Sequence, residues 1–393
     1  MAANSCYLHQ VSAICALGAD IATINEQLFS AQQFKTNKSP LTITDAFSPG
    51  RPLPIGLVAN LPLTADTRNN SLLDAALEPL RAPVEALKTR FGAQRIAVIL
   101  GSSTSGIAEG EAAIAQHLKT GSFPPGFHYQ QQEMSAPSEY VAKSLQVHGP
   151  VWTISTACTS GAKAIASGAR LLDLGICDAV IVGGVDSLCH LTVEGFLALS
   201  AVSDQVCNPF SLNRRGINIG EAAALIILSR EPGPVKLAGV GETSDAHHVS
   251  APDPEGKGAV AAMSIALANA KVQPSQIDYV NLHGTATDQN DRMESLAVAQ
   301  VLGNDVPCSS TKALTGHTLG AAGALEAILC YLALMRTDKQ LPRHLWDGET
   351  DPQLAKLTQL GAQTAHQPLT YAMSNSFAFG GNNISLILER CNE

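Results

Sequence analysis

Charge is scarce in this sequence of 393 residues. Asp, Glu, Lys and Arg together make up 15% of it, where an ordinary soluble chain carries about a quarter. That shortage excludes a disordered or coiled-coil protein and implies a large core, with a buried oligomer face as well. Aromatic residues are few (5%), and 25 basic residues face 34 acidic ones for a formal net charge of −9. Such a chain is a poor nucleic-acid binder. No C-x-x-C pair occurs among the cysteines at 6, 15, 158, 177, 189, 207, 308, 330 and 391. Their diffuse spacing reads as reduced thiols of a cytoplasmic protein. Only Cys6 and His9 have a short zinc-like spacing, with no second pair, so no metal centre is expected. The amino terminus MAANSCYLHQ lacks the basic and continuous apolar regions of a cleaved signal. The longest apolar stretch, Gly316 to Met335, is interrupted by His317 and Glu326 and reads as a buried helix, not a membrane span.

What is present is a rhythm of short apolar runs and longer alanine-rich segments. The runs Arg95–Gly101, Val151–Thr156, Asp178–Gly184 and Ala223–Leu228 suit strands buried on both faces. Gly161–Leu174 is apolar nearly all round, as a sandwiched helix would be. The stretch REPGPVK (Arg230–Lys236) is the best boundary signal, giving an amino-terminal half over 1–229 and a carboxy-terminal half over 230–393. Beyond it, strands are expected at Val235–Val240, Ile277–Leu282, Val306–Ser310, Leu369–Ser374 and Ile384–Glu389. Helices are expected at Gly258–Lys271, Asp291–Leu302 and Ala321–Met335. This alternation predicts a mostly parallel sheet covered by helices, with a possible duplication of one rhythm.

Four segments could carry chemistry. In TISTACTSGAKAI (Thr153–Ile165) a strand enters a tight turn and Cys158 sits just before a helix. Unpaired amides at a helix start should lower the thiol's pKa and offer an oxyanion hole. A buried core thiol is the plainer alternative. YVNLHGTAT (Tyr279–Thr287) places His283 at a strand end, where parallel α/β sheets hold ligands, beside Thr285 and Thr287; a structural histidine is the commoner case. SSTKALTGHTLGAAGALE (Ser309–Glu326) holds Lys312, His317 and Glu326 among small residues. Its lysine and glutamate should pair, because an isolated buried charge is costly. SNSFAFGGNN (Ser374–Asn383) sets Phe377 and Phe379 before two glycines, which could plug a core or form a gate.

Together, TACTSG, HGTAT, STKALTGH and FAFGGNN, in this order, resemble the elongating beta-ketoacyl-acyl-carrier-protein synthases, condensing enzymes with one cysteine and two histidines. The resemblance implies an α/β, thiolase-like five-layer α-β-α-β-α sandwich of two pseudo-symmetric halves. It implies that Cys158 takes an acyl group and that His283 and His317 bind the malonyl thioester and stabilise its enolate. Lys312, paired with Glu326, would set their charge and orientation. The amides of Cys158 and Phe379 would hold the oxyanion, Phe379 would gate the site with Phe377 beside it, and Thr285 and Thr287 would bind a phosphopantetheine arm. No tightly bound cofactor is implied. Asp291 and Glu294 would be structural. The implied partners are an acyl carrier protein and a second subunit, either identical or a paralogous ketosynthase or chain-length factor. Arg68, Lys119, Arg214 and Arg215 are candidates for carrier docking.

The sequence departs from the family at Ala378, where glycine is usual and which should stiffen the gate. It departs also in NPFSLNRRGINIGEA (Asn208–Ala222), where Ser211, Asn213 and Arg215 replace aspartates and Ala222 replaces glycine. The latter loop should keep its shape with different polar pairing. These departures point toward a specialised polyketide or polyene synthase. A degradative thiolase would need a second cysteine in the last motif, and a non-catalytic chain-length factor would lack the nucleophile.

Overall fold

The structure is a computed structural model that describes residues 6–30 and 38–391; the first five residues of the MAANSCYLHQ terminus lie outside it. The chain runs β1 (Tyr7–Ile14), α1 (Ile21–Phe29), β2 (Thr42–Thr44), β3 (Leu53–Ile55), α2 (Arg68–Leu77), α3 (Arg81–Phe91), β4 (Ile96–Gly101), α4 (Ile107–Thr120), α5 (Ala136–Leu145) and β5 (Val151–Ile154). Then come α6 (Ser160–Asp173), β6 (Ala179–Asp186), α7 (His190–Ala198) and β7 (Ala222–Ser229). After the proline-rich link follow β8 (Val235–Ser244), α8 (Lys257–Ala270), β9 (Tyr279–Asn281), α9 (Asp288–Leu302) and β10 (Cys308–Ser309). The last elements are α10 (Lys312–Thr315), α11 (Ala322–Leu334), β11 (Tyr371–Phe377) and β12 (Asn382–Arg390).

Ten strands hydrogen-bond in the order β10-β9-β11-β12-β8-β1-β7-β6-β4-β5. The order is the same read outward from the middle on either side: β1, β7, β6, β4, β5 in one half and β8, β12, β11, β9, β10 in the other. The halves meet through a short antiparallel contact, Tyr7 opposite Lys236 and Leu8 opposite Val235. The sheet is mixed, which corrects the expectation of a mostly parallel one. Only β10–β9, β9–β11, β6–β4 and β4–β5 run parallel. The tight turn between β11 and β12 can only return antiparallel, and β7 pairs antiparallel with both β6 and β1.

Every residue of β4, β6 and β7 is buried, as the apolar runs predict for strands covered on both faces; β5 corrects that expectation, since it lies at the sheet edge and none of its residues is buried. One cover is a central layer, α6 and α11, which pack on each other and touch both half-sheets. Twelve of the thirteen residues of α11 are buried, Glu326 among them. Helices α2 and α5 cover the outer face of one half and α8 with α9 that of the other, each over its own apolar cluster. The result is the α-β-α-β-α layering. Among the described residues, no helix is long and apolar enough to cross a membrane.

The strands and helices expected from Arg95 onward are found with ends shifted by a few residues. The elements before it, β1 to α3, and also α4, α5 and α7, left no reading. Helix α2, RNNSLLDAAL, shows why: its Asn69, Asn70 and Ser71 are buried only because tertiary neighbours cover them.

The central pair is packed backbone to backbone. A Cβ on Gly161 would stand 2.9 Å from both the Cβ and the amide nitrogen of Ala324, and one on Gly323 would stand 2.8 Å from the Cβ of Ala162. Neither contact can yield without separating the helices. Gly161→Ala should therefore lower the unfolding free energy by about 2 kcal/mol, read as a lower denaturant midpoint with an unchanged slope. An unaltered midpoint would mean that the central layer is looser than described.

Candidate active site

Cys158 lies in the turn that leads from β5 into α6. Ala157 before it has φ 54°, in the left-handed region, a conformation costing an L-residue about 1–2 kcal/mol. Local hydrogen bonds hold it there. Thr159 Oγ1 donates to Thr156 O (2.7 Å), Ser160 Oγ donates to Ala157 O (2.5 Å), and the same Oγ accepts the Thr156 N–H (2.9 Å). The sulfur is thereby turned out of the strand at the mouth of the central helix.

His317 reaches it from the other half. A parallel bridge to the segment before β7 fixes its backbone: its N–H donates to Asn218 O (2.6 Å) and its carbonyl accepts from Gly220 N–H (2.9 Å). Its Nε2 stands 3.0 Å from Cys158 Sγ. Its Nδ1 accepts the Leu319 N–H at 3.3 Å, so the neutral ring carries its proton on Nε2, aimed at the sulfur. The His283 ring meets that of His317 edge to face, centroids 5.5 Å apart, with Phe377 6.2 Å beyond.

All three groups are buried. Burial pushes the Cys158 thiol up to about 12, with the Lys312 ammonium pulling against it and Glu326 adding to it. This corrects the expectation of a lowered value: the cost of enclosing a bare sulfur anion outweighs the amides at the helix start. At rest Cys158 is a thiol. Burial, followed by the Lys312 charge, holds both imidazoles well below the ordinary histidine value, so both are neutral. Lys312 and Glu326 form a buried ion pair, as their spacing in an apolar segment predicts.

Cys158, His283 and His317 offer ligand atoms within 4.8 Å of one another. By donor type the set would suit a zinc-like cation. The Lys312 charge that disfavours a proton on either ring disfavours a cation as well, and the Nε2–H of His317 points at the sulfur. The trio fits hydrogen bonding better than ligation.

Behind the trio, buried carboxylates accept backbone amides. Glu294 takes the N–H groups of His283 and Gly284 (both 2.7 Å), and Asp291 takes those of Phe210 (2.7 Å) and Ala286 (3.2 Å). Burial raises Glu294 to about 7 and Asp291 to about 6. Asp186 at the end of β6 was missed in the sequence. It accepts from Ser102 Oγ, Ser103 N–H, Thr104 N–H and Thr104 Oγ1 in its own half, and from Gly320 N–H (2.6 Å) in the other. It thus ties the His317 turn to the half that bears Cys158. An aspartate ending an apolar strand run (AVIVGGVD) was the available signal. Positive φ at Phe210, Ala286 and Leu319 joins that at Ala157 around the site, the concentration of strain that functional sites show.

The trio opens on a cleft of about 560 Å³ that is also bordered by Phe196, Thr285, Thr287, Phe377 and Phe379. The Thr285 and Thr287 hydroxyls lie 2.8 Å apart, and the Phe379 ring rests 5.6 Å from that of Phe196. Ala378 has φ −110°, which alanine adopts without strain. In the Asn208–Ala222 loop, Ser211 and Asn213 both reach Asp347.

Two docking candidates are corrected. Arg68 is bound to Glu221 at 2.6 Å and to the carbonyls of Val58 and Leu61. The Arg214 side chain is 4% exposed and paired with Asp288 and Asp351. Both brace the scaffold, through carboxylates too distant in sequence to be foreseen. Lys119 is exposed at the end of α4, and Arg215 is exposed at the cleft.

Residues 70–232 match the family model described as beta-ketoacyl synthase, N-terminal domain, and residues 235–345 match its C-terminal domain. A 3-oxoacyl-[acyl-carrier-protein] synthase 2 of Staphylococcus aureus is 32% identical over 316 residues, 76% of either chain. One from Rhizobium meliloti is 37% identical over 265 residues, 62% of either chain. Among solved structures, the complex of a ketosynthase (ApeO) with its chain length factor (ApeC) from Xenorhabdus doucetiae contains a chain 44% identical. It superposes with a TM-score of 0.92 over 99% of this chain and 98% of that one. A beta-ketoacyl synthase from Burkholderia phymatum is 27% identical, with a TM-score of 0.79 over 99% of this chain and all of that one.

Two outcomes follow from the geometry. With its thiol raised to about 12, Cys158 should react with iodoacetamide about tenfold faster for each pH unit between 7 and 10, followed by mass spectrometry of its peptide. A plateau near pH 7 would show a stabilised thiolate instead. Asp186→Asn should cost about 3 kcal/mol of stability, because it turns an amide group onto donors that need an acceptor; a loss below about 1 kcal/mol would remove its anchoring role.

Proposed function

The chain belongs to the beta-ketoacyl synthase family, and from that premise we propose that it carries out decarboxylative Claisen condensation between an acyl group held on Cys158 and a malonyl thioester. The observation that carries this reading is the placement of Cys158 Sγ 3.0 Å from a proton-bearing His317 Nε2, with neutral His283 alongside.

Cys158 sulfur bonds to the carbonyl carbon of an acyl thioester, and the carrier's thiol leaves with the proton. The amides of Cys158 and Phe379 face the oxygen on which charge collects. The amides flanking Phe379 are already committed, Ala378 N–H to Asn382 O and Gly380 N–H to Val249 O. The malonyl thioester then enters with its carbonyl toward the two imidazoles. As carbon dioxide departs, its bonding pair becomes an enolate whose oxygen takes N–H hydrogen bonds. Neutral donors suit this step, since they strengthen as charge develops without fixing a charge beforehand. The enolate carbon attacks the acyl-Cys158 carbonyl, and the sulfur leaves. Burial, reinforced by the charge of Lys312, keeps both rings unprotonated. Thr285 and Thr287 hold the phosphopantetheine arm at the cleft, and Phe379 with Phe377 closes it between the two steps. Arg215 and Lys119 are the remaining basic candidates for carrier contact.

The phosphopantetheine arm arrives with its carrier protein, and no other cofactor enters this chemistry. The two halves divide at the Arg230–Lys236 link into 1–229 and 230–393. The relative from Xenorhabdus doucetiae, a ketosynthase with its chain length factor, supports a paired assembly here, with an identical chain or a chain-length factor. Edge strand β5, where Trp152 is 37% exposed, leaves a ladder open for such a partner. The free cysteines are in keeping with a cytoplasmic setting, and the product belongs to fatty-acid, polyketide or polyene assembly. A chain-length-factor role is the weaker reading, because nucleophile and both histidines are present.

Incubation with a panel of acyl carrier proteins should add an acyl mass at Cys158, and Cys158→Ala should take none; retained labelling in that variant would refute the assignment. Cys158→Gln should keep malonyl decarboxylation while losing condensation. His317→Ala should slow decarboxylation by about 100-fold and acyl loading much less, whereas equal losses would contradict the division of roles.

A further inference from the structure

The helix that presents Cys158 also reaches the turn that carries Phe379. Lys163, on α6, is half-buried, and its Nζ donates to Asn382 Oδ1 at 2.8 Å. Among the described residues it has no carboxylate partner. A half-buried ammonium given to a neutral amide is an unusual use of a lysine, and the amide it holds is placed with consequence. Asn382 is the first residue of β12, and its carbonyl accepts the Ala378 N–H at 2.7 Å. Lys163 thereby grips the closing residue of the turn between β11 and β12.

That turn closes on two glycines. Gly380 and Gly381 both have left-handed φ, 81° and 74°, so the tip has no side chain between Phe379 and Asn382. Its other fastenings are two backbone bonds, Gly380 N–H to Val249 O (2.8 Å) and Asp245 N–H to Gly381 O (2.8 Å), a long bond from Asn383 Nδ2 to Gly381 O (3.3 Å), and the contact of the Phe379 ring with Phe196. Val249 itself is 75% exposed and offers little resistance. The charged bond from Lys163 is the link that comes from the nucleophile's own helix.

We propose that Lys163 is a positioning residue that tethers the Phe379 turn in its closed form through Asn382, and so sets how freely Cys158 is reached from the cleft. The proposal rests on the reading of Phe379 as the gate. Its consequence is specific: acyl loading needs the turn open, whereas decarboxylation on an acylated enzyme needs it closed, so the tether biases the enzyme between its two half-reactions.

The test is the rate at which iodoacetamide alkylates Cys158 in the full chain, followed by mass spectrometry of the Cys158 peptide at constant pH. Lys163→Met should accelerate alkylation about tenfold, the scale of one lost charge-assisted hydrogen bond shifting a closed population. Asn382→Leu removes the acceptor while leaving the cation, and should do the same. Lys163→Arg should return the rate to within about twofold of the parent. A merely electrostatic lysine predicts the opposite for Lys163→Met, since losing a cation raises the thiol's pKa and slows alkylation. Slower alkylation in Lys163→Met, or an unchanged rate in Asn382→Leu, overturns the tether. Should Lys163→Met fail to fold, Asn382→Leu and Lys163→Arg decide alone. Alkylation needs no carrier protein, so faster alkylation with no acyl loading in any variant would discard the condensing function and keep the tether.

Discussion

Two helices poor in side chain lie against each other at the centre of this protein, and the site exists because they can. Small residues on α6 and α11 bring the backbones of the two halves together, as Gly161 against Ala324 and Gly323 against Ala162 show. Cys158 precedes one helix and His317 the other. A wider separation would pull the sulfur and the imidazole out of contact before any other part of the chemistry failed. Close-packed interiors transmit such a shift, because no void is available to absorb it.

Enclosure then sets the electrostatics. A site this deep cannot afford unpaired charge, and it holds little: a thiol, two neutral imidazoles and one compensated ion pair. The carboxylates nearby, Asp186, Asp291 and Glu294, spend their oxygens on backbone amides. They fix the loops that bear the two histidines, and Asp186 joins one half to the other. Strained backbone at Phe210, Ala286 and Leu319 persists beside these bonds, and that at Ala157 is held by the hydroxyls of Thr159 and Ser160. The result is a cavity of donors already oriented, which under the proposed reaction would meet developing negative charge without reorganising.

The same enclosure explains the least anticipated property of Cys158. Amides at a helix start favour a thiolate only if water or a cation shares the cost of the charge. Here the desolvation of Cys158 wins. A thiol that ionises only as it reacts is protected from casual oxidation, and its reactivity depends on what enters the cleft beside it. Access would then be a second control on the chemistry, which under the proposed reading the hairpin tip that carries Phe379 exercises.

Much of this was legible in the order of residues. Buried strands betray themselves by unbroken apolar runs, and sandwiched helices by their lack of a polar face, so the elements from Arg95 onward could be read. Four short motifs marked Cys158, His283, Lys312 with His317, and the phenylalanines, and the fold brings Cys158, both histidines and both phenylalanines to one cleft. Local sequence also foretold the Lys312–Glu326 pair, since both lie in one apolar segment. It could not foretell that Arg68 and Arg214 are bound to carboxylates, that Asp186 spans the halves, that the sheet's central ladders run antiparallel, or that Cys158 is a thiol at rest. Each of those depends on groups far apart along the chain that only packing brings together. Side-chain identity is local information, whereas partnership, burial and the ionisation that burial imposes belong to the folded whole.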